Sequence, residues 1–134
     1  MNGKDLISIR DLERKDIEDL FSSAERMEGV IGGDKKTLKN SIVATLFFEP
    51  STRTKMSFES AANRLGGRVI SFSSVGSTSM AKGETFVDTI KTIDGYVDLI
   101  VIRHKLEGSA RLAANVAEHP VVNGGDGGNQ HPTQ

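Results

Sequence analysis

The amino-acid sequence predicts an α/β fold with a mostly parallel sheet flanked by helices. Residues 42–48 (IVATLFF) form an apolar run broken only by Thr45, which suits a strand buried on both faces. Residues 97–102 (VDLIVI) also read as a strand. Between such runs the apolar residues return at helical spacing. Strands and helices therefore alternate along the chain, the pattern that parallel sheets require.

In order, the first helix is expected after Ser8-Ile9-Arg10-Asp11. Its apolar face is Ile17, Leu20, Phe21, Ala24, Met27 and Ile31, and Gly29, Gly32 and Gly33 mark its end. A charged connector over 34–40 leads into the strand at 42–48. A second helix carries Met56, Phe58, Ala61, Ala62 and Leu65 as its stripe and stops at Gly66-Gly67. A short strand over 69–72 and a polar loop over 73–82 follow. The third helix has Phe86, Val87, Ile90 and Ile93 on one side. The strand at 97–102 ends at Arg103-His104, and a fourth helix over 109–118 turns Leu112, Ala113 and Val116 inward. Residues 121–123 make a last short strand before the glycine-rich tail 124–134, itself readable as a frayed end. An alternating chain should continue into another helix beyond that strand and loop.

The 134 residues suit one domain spanning 1–134 with a real core. The 17 basic and 18 acidic residues leave a net charge of −1, which offers no bulk attraction for nucleic acid or an anionic membrane. No apolar run is long enough to cross a bilayer, and the N-terminus lacks the apolar stretch of a signal peptide. With no cysteine there is neither a disulfide framework nor a thiolate ligand or nucleophile. A cytoplasmic protein is expected.

Ligands of open parallel sheets bind beyond the carboxyl ends of the strands. Those ends carry Ser51-Thr52-Arg53-Thr54, the 73–82 loop, Arg103-His104 and 124–134, all rich in donors and without an acidic cluster. That excess points to an anion. At Ser51–Thr54 the free amides of a helix start, three hydroxyls and a planar charged fork stand together, a natural phosphate cradle. The plainer alternative makes Ser51 an N-cap and Arg53 a solvated surface residue. Lys82 by itself reads as solvated, Arg103 as a strand-end ion pair, and His131 as part of a loose tail. The glycines at 124–128 do not match G-x-G-x-x-G and no helix follows them, which argues against a dinucleotide site.

Together FFEPSTRTKMSFESA, SSVGSTSMAKGETFVDT, DLIVIRH and NGGDGGNQHPTQ closely resemble the carbamoyl-phosphate domain of the aspartate carbamoyltransferases, in family order over essentially the whole chain. STRT with HPTQ is similar to the wider carbamoyltransferase family, and KGET with a strand ending in RH resembles the aspartate rather than the ornithine branch. The resemblance implies a Rossmann-like domain that transfers a carbamoyl group from carbamoyl phosphate to the amine of L-aspartate in pyrimidine synthesis, with no metal or organic cofactor. It implies that Ser51, Thr52, Arg53 and Thr54 bind the phosphate. Thr54, Arg103 and His131 would hold the carbonyl oxygen, where charge develops, and Gln134 the carbamoyl amide. Ser79 and Lys82 would reach into a neighbouring subunit's site within a homotrimer, with room left for separate regulatory chains. The family's second, aspartate-binding domain follows HPTQ and is absent from this chain. The chain alone is therefore expected to bind carbamoyl phosphate with little or no turnover. The alternatives are ornithine as acceptor, or a non-catalytic anion-binding or assembly module.

Overall fold

The computed structural model describes residues 5–29, 37–72 and 83–134. Four strands, β1 (Ile42–Phe47), β2 (Arg68–Phe72), β3 (Leu99–His104) and β4 (Val121–Asp126), pair in parallel in the order β2-β1-β3-β4. Helices α1 (Arg14–Glu28), α2 (Thr52–Arg64), α3 (Phe86–Asp94) and α4 (Ser109–Val116) connect or precede them. The expected α/β class is thus realised.

Side-chain alternation along the two central strands builds two cores. Val43, Phe47 and Val101 point to one face and pack with Ala62 and Phe58 of α2. Ala44, Leu46, Ile100 and Ile102 point to the other and pack with Ile90 of α3 and with Ala110 and Ala113 of α4. Both faces of β1 and β3 are covered, which is why their sequences run on in apolar residues rather than alternating. The chain leaves β1 towards β2 on one side and β3 towards β4 on the other. The order therefore switches between β1 and β3, and a crevice opens outside their carboxyl ends.

The expected α1 forms and ends at Gly29, but none of its residues is buried. Phe21 is 66% exposed and Met27 38%, while Ile17 and Leu20 of the same stripe are only part-buried. Ile31, Gly32 and Gly33 lie outside them. Met56 (64%) and Leu112 (42%) are likewise exposed rather than inward. On α2 it is Ala62 that faces the sheet, and on α4 Ala110 and Ala113, because small residues let a helix approach the strands closely. No described helix is long and apolar enough to cross a membrane.

The largest revision concerns the glycine-rich tail. Residues 124–126 are buried and complete β4 instead of fraying from it. Ile102 pairs with Asn123 but His104 pairs with Asp126, so Arg103 faces two residues, a β-bulge at Gly124-Gly125. Leu6 bridges Val122 in parallel and extends the sheet past β4.

Asp94, at the end of α3, ties down the turn that follows α4. Its carboxylate accepts from the amides of Glu118 (2.9 Å) and His119 (3.1 Å) and meets His119 Nδ1 at 3.1 Å. Burial alone would raise this carboxyl, but the three hydrogen bonds hold it below 3.8. A depressed carboxyl contributes stability that is complete above 3.8 and lost as the pH falls through the lower folded value. Asp94→Ala is expected to cost about 2 kcal/mol at pH 7 from lost charge-assisted hydrogen bonds. Urea unfolding should show that deficit shrinking towards pH 3; a deficit independent of pH would refute the assignment.

Candidate anion-binding site

Outside the carboxyl ends of β1 and β3 lies a depression of about 580 Å³. It is lined by Ser51, Arg53, Thr54, Ser57, Phe58, Ala61, Arg103, His131, Thr133 and Gln134. Pro50 ends the run of β1, and Ser51 takes the N-cap position of α2 with extended backbone (φ −157°, ψ 96°). Its hydroxyl makes no capping hydrogen bond, and the first turn holds no acidic residue. The helix start therefore keeps its positive end uncompensated and aimed at the depression. Helical spacing places Ser57, Phe58 and Ala61 one and two turns below Thr54 as the floor.

Strand alternation puts Arg103 on the α2 side of the sheet, in line with Thr45, Phe47 and Val101. His104 is forced to the opposite face, where Phe48 and Phe86 surround it at centroid distances of 5.1 and 5.3 Å. Adjacent in sequence, the two residues thus have different surroundings. Arg103 donates from Nη1 to Gly124 O at 2.9 Å. Its Nε is buried without a hydrogen-bond partner, 3.5 Å from a Glu49 carboxylate oxygen. Gly125 makes room for this group. It adopts φ +113°, and a Cβ there would lie 2.5 Å from Arg103 Nη1.

His131 stacks on Phe58, with ring centroids 6.4 Å apart and planes at 13°. Its Nδ1 lies 3.1 Å from the Thr133 hydroxyl, and the Gln134 amide donates to His131 O at 2.9 Å, closing a turn. Burial, and then the nearby Arg103 charge, lower the His131 pKa below 6.5, so the ring is neutral at pH 7.

Seven of the nine expected site residues lie in the described part of the chain, and six line the depression: Ser51, Arg53, Thr54, Arg103, His131 and Gln134. Thr52 instead faces a neighbouring depression with Phe47, Pro50, Lys55 and Met56. Ser79 and Lys82 lie outside the described residues. Sequence reasoning missed Ser57, Phe58 and Thr133. The first two follow from Thr54 by counting three and four along the helix. Thr133 carried no signal apart from its neighbours.

Parallel α/β topology with a donor-lined crevice at its switch point defines a domain of the doubly wound type. Residues 4–134 match the family described as aspartate/ornithine carbamoyltransferase, carbamoyl-P binding domain, and the chain belongs to that family. It is 60% identical to the aspartate carbamoyltransferase catalytic subunit of Thermococcus gammatolerans, over 99% of this chain and 44% of the relative. With that of Methanopyrus kandleri it shares 56% over 98% of this chain and 43% of the relative. Among solved structures it resembles the catalytic subunit of M. jannaschii aspartate transcarbamoylase (TM-score 0.91, 48% identity, 97% of this chain and 43% of that one). It also resembles the Trypanosoma cruzi enzyme in complex with carbamoyl phosphate and aspartate (TM-score 0.90, 42% identity, 98% and 44%). The chain thus spans under half the length of these relatives.

The Arg103 charge is one of the two causes that keep His131 neutral. Arg103→Gln is therefore expected to raise the His131 pKa towards 6.5, read from the ring protons in an NMR titration. An unchanged or lower value would mean that the guanidinium does not act on the ring.

Proposed function

We propose that residues 1–134 form the carbamoyl-phosphate-binding domain of an aspartate carbamoyltransferase acting in the cytoplasm. The reaction transfers the carbamoyl group of carbamoyl phosphate to the amine of L-aspartate, giving N-carbamoyl-L-aspartate and phosphate for pyrimidine synthesis. The observation that carries this reading is the meeting of an uncapped helix start, Arg53 and the Arg103 guanidinium at one rim of the sheet. The names of the relatives support the choice of reaction.

In this reading the phosphate sits on the first amides of α2, with the Ser51 and Thr54 hydroxyls and Arg53 around it. Thr52, which lines the neighbouring depression, contributes its amide. Thr54, Arg103 and His131 donate to the carbonyl oxygen. To donate there the neutral ring must carry its proton on Nε2, and its Nδ1 then accepts from the Thr133 hydroxyl 3.1 Å away. Gln134 takes the carbamoyl amide. As the amine attacks, a C–N bond forms and charge collects on that oxygen. The C–O bond to phosphate then breaks, and the nitrogen passes one proton to the departing phosphate, which leaves as hydrogen phosphate. Fixed donors at the oxygen stabilise the intermediate, each worth roughly 100-fold or more in rate. Ser79 and Lys82 reach a neighbouring subunit's site in a homotrimer. The chain on its own holds carbamoyl phosphate with little or no turnover.

Calorimetric titration with carbamoyl phosphate and with inorganic phosphate should give binding that Arg53→Ala weakens about 10- to 100-fold, the range of a charged hydrogen bond. No binding of either anion would overturn the site. The shared site has its own check. The chain is joined to the remaining segment of the T. gammatolerans relative, and Lys82→Ala and His131→Ala forms are mixed. Hybrids should regain activity with aspartate. No recovery after proven subunit exchange would place Lys82 in its own subunit's site, and activity with ornithine alone would change the acceptor.

A further inference from the structure

The turn that carries His131 is not held by its own strand alone. Gln130, the residue before it, accepts at Oε1 from the Ser8 hydroxyl (2.7 Å) and from the Ile9 amide (2.8 Å), groups more than 120 positions away in sequence. The Ser8 hydroxyl in turn accepts from the Arg10 amide at 3.2 Å, so its donor and acceptor sides are both engaged. The main-chain oxygen of Gln130 accepts from Asn123 Nδ2 at 3.1 Å. Asn123 is fully buried. Its two Nδ2 hydrogens are shared among the Gln130 oxygen, Ile7 O (3.0 Å) and Asp126 Oδ1 (2.9 Å), and its Oδ1 accepts from the Gly125 amide (2.8 Å).

We infer that the Ser8–Gln130 clasp, seated on Asn123, is a positioning device that sets the His131 ring against Arg103 and the anion site. The inference rests on the function proposed above but concerns the ligand-free protein. Fixing both the carbonyl and the side chain of Gln130 fixes the peptide plane that leads into His131. Asn123 reaches Gly125 and Gln130 together, so it spans the bulge that accepts Arg103 and the turn that carries the histidine. The N-terminal segment is anchored for the purpose: the Leu6 amide donates to Val121 O (2.8 Å), the Asn123 amide to Leu6 O (2.9 Å), and the Val121 amide to Asp5 Oδ1 (2.8 Å). None of these residues lines the depression. Ser8 and Gln130 therefore act through His131 and not on the ligand.

Gln130→Ala removes the clasp and Ser8→Ala its hydroxyl half, the Ile9 amide still donating to Gln130, both without changing charge, while Ser8→Thr keeps the hydroxyl on a backbone already extended (φ −146°, ψ 144°). Two readouts apply: the His131 pKa in ligand-free protein by NMR, and the affinity for inorganic phosphate by calorimetry. Both alanine variants should move the His131 pKa towards its ordinary value and weaken phosphate binding about 3- to 10-fold, the scale of one neutral hydrogen bond. Ser8→Thr should match the parent in both. A folded alanine variant with an unchanged His131 pKa overturns the inference, and so does a threonine variant as impaired as the alanine. If Gln130→Ala does not fold, Ser8→Ala carries the decision. A clasp-dependent pKa with no phosphate binding by the parent chain would support the clasp and sink the functional reading instead.

Discussion

The hydrogen bond from Arg103 to Gly124 O is the contact on which the site's arrangement depends. A guanidinium at the end of a buried strand has to be turned out of the apolar core. Here one arm is spent on a main-chain oxygen, which orients the planar fork, and Nε is buried beside Glu49, so only the rest of the fork serves the crevice that Arg103 lines. The bond exists because β4 carries one residue too many opposite Arg103. The bulge presents Gly124 O, and the positive φ of Gly125 keeps side-chain atoms out of the space the guanidinium fills. Remove the bulge, and Arg103 has neither acceptor nor room.

That dependence explains what the sequence could and could not reveal. Strand runs and helix stripes follow from periodicity, and the α/β class with its four strands was legible from residues 42–48, 97–102 and the helices between. So was the crowding of donors at strand ends, because topology sends ligands there. Periodicity does not say which stripe finds a partner, however. Phe21, Met56 and Leu112 sit on regular stripes and remain exposed, whereas Ala62 on α2 and Ala110 and Ala113 on α4 make the contact with the sheet. The bulge had no periodic signal at all. Gly124-Gly125 reads as loop chemistry until the register between Ile102 and His104 is known.

Electrostatically, the site sets two guanidiniums against a neutral imidazole. Its lowered pKa comes from burial and from the charge of Arg103, so the same residue that offers a cation to an anion also keeps its neighbour uncharged. A neutral ring keeps one donor and one acceptor nitrogen, and the Thr133 hydroxyl, 3.1 Å from Nδ1, can pair with that nitrogen in either role. Were both nitrogens protonated, the ring would repel Arg103 across the space a ligand enters. Glu49 lies behind the guanidinium at 3.5 Å and offsets part of its charge without standing among the residues that line the depression.

His104 illustrates how one strand serves stability and chemistry by alternation alone. One position beyond Arg103, it points into the opposite core, where burial and then the Lys105 charge lower its pKa. Its Nδ1 accepts from the Leu106 amide at 3.0 Å and lies 2.9 Å from the Ser109 hydroxyl, which ties the strand end to the start of α4. The amide of Gly108 in that same turn donates to Asp126 at 2.9 Å, the last residue of the bulged strand. Anchoring on the apolar face thus fixes both flanks of the bulge, at His104 and at Asp126. With both ends held, Gly124 and Gly125 have only the α2 side on which to meet the arginine, and the orientation of the donor follows from packing that never touches the ligand.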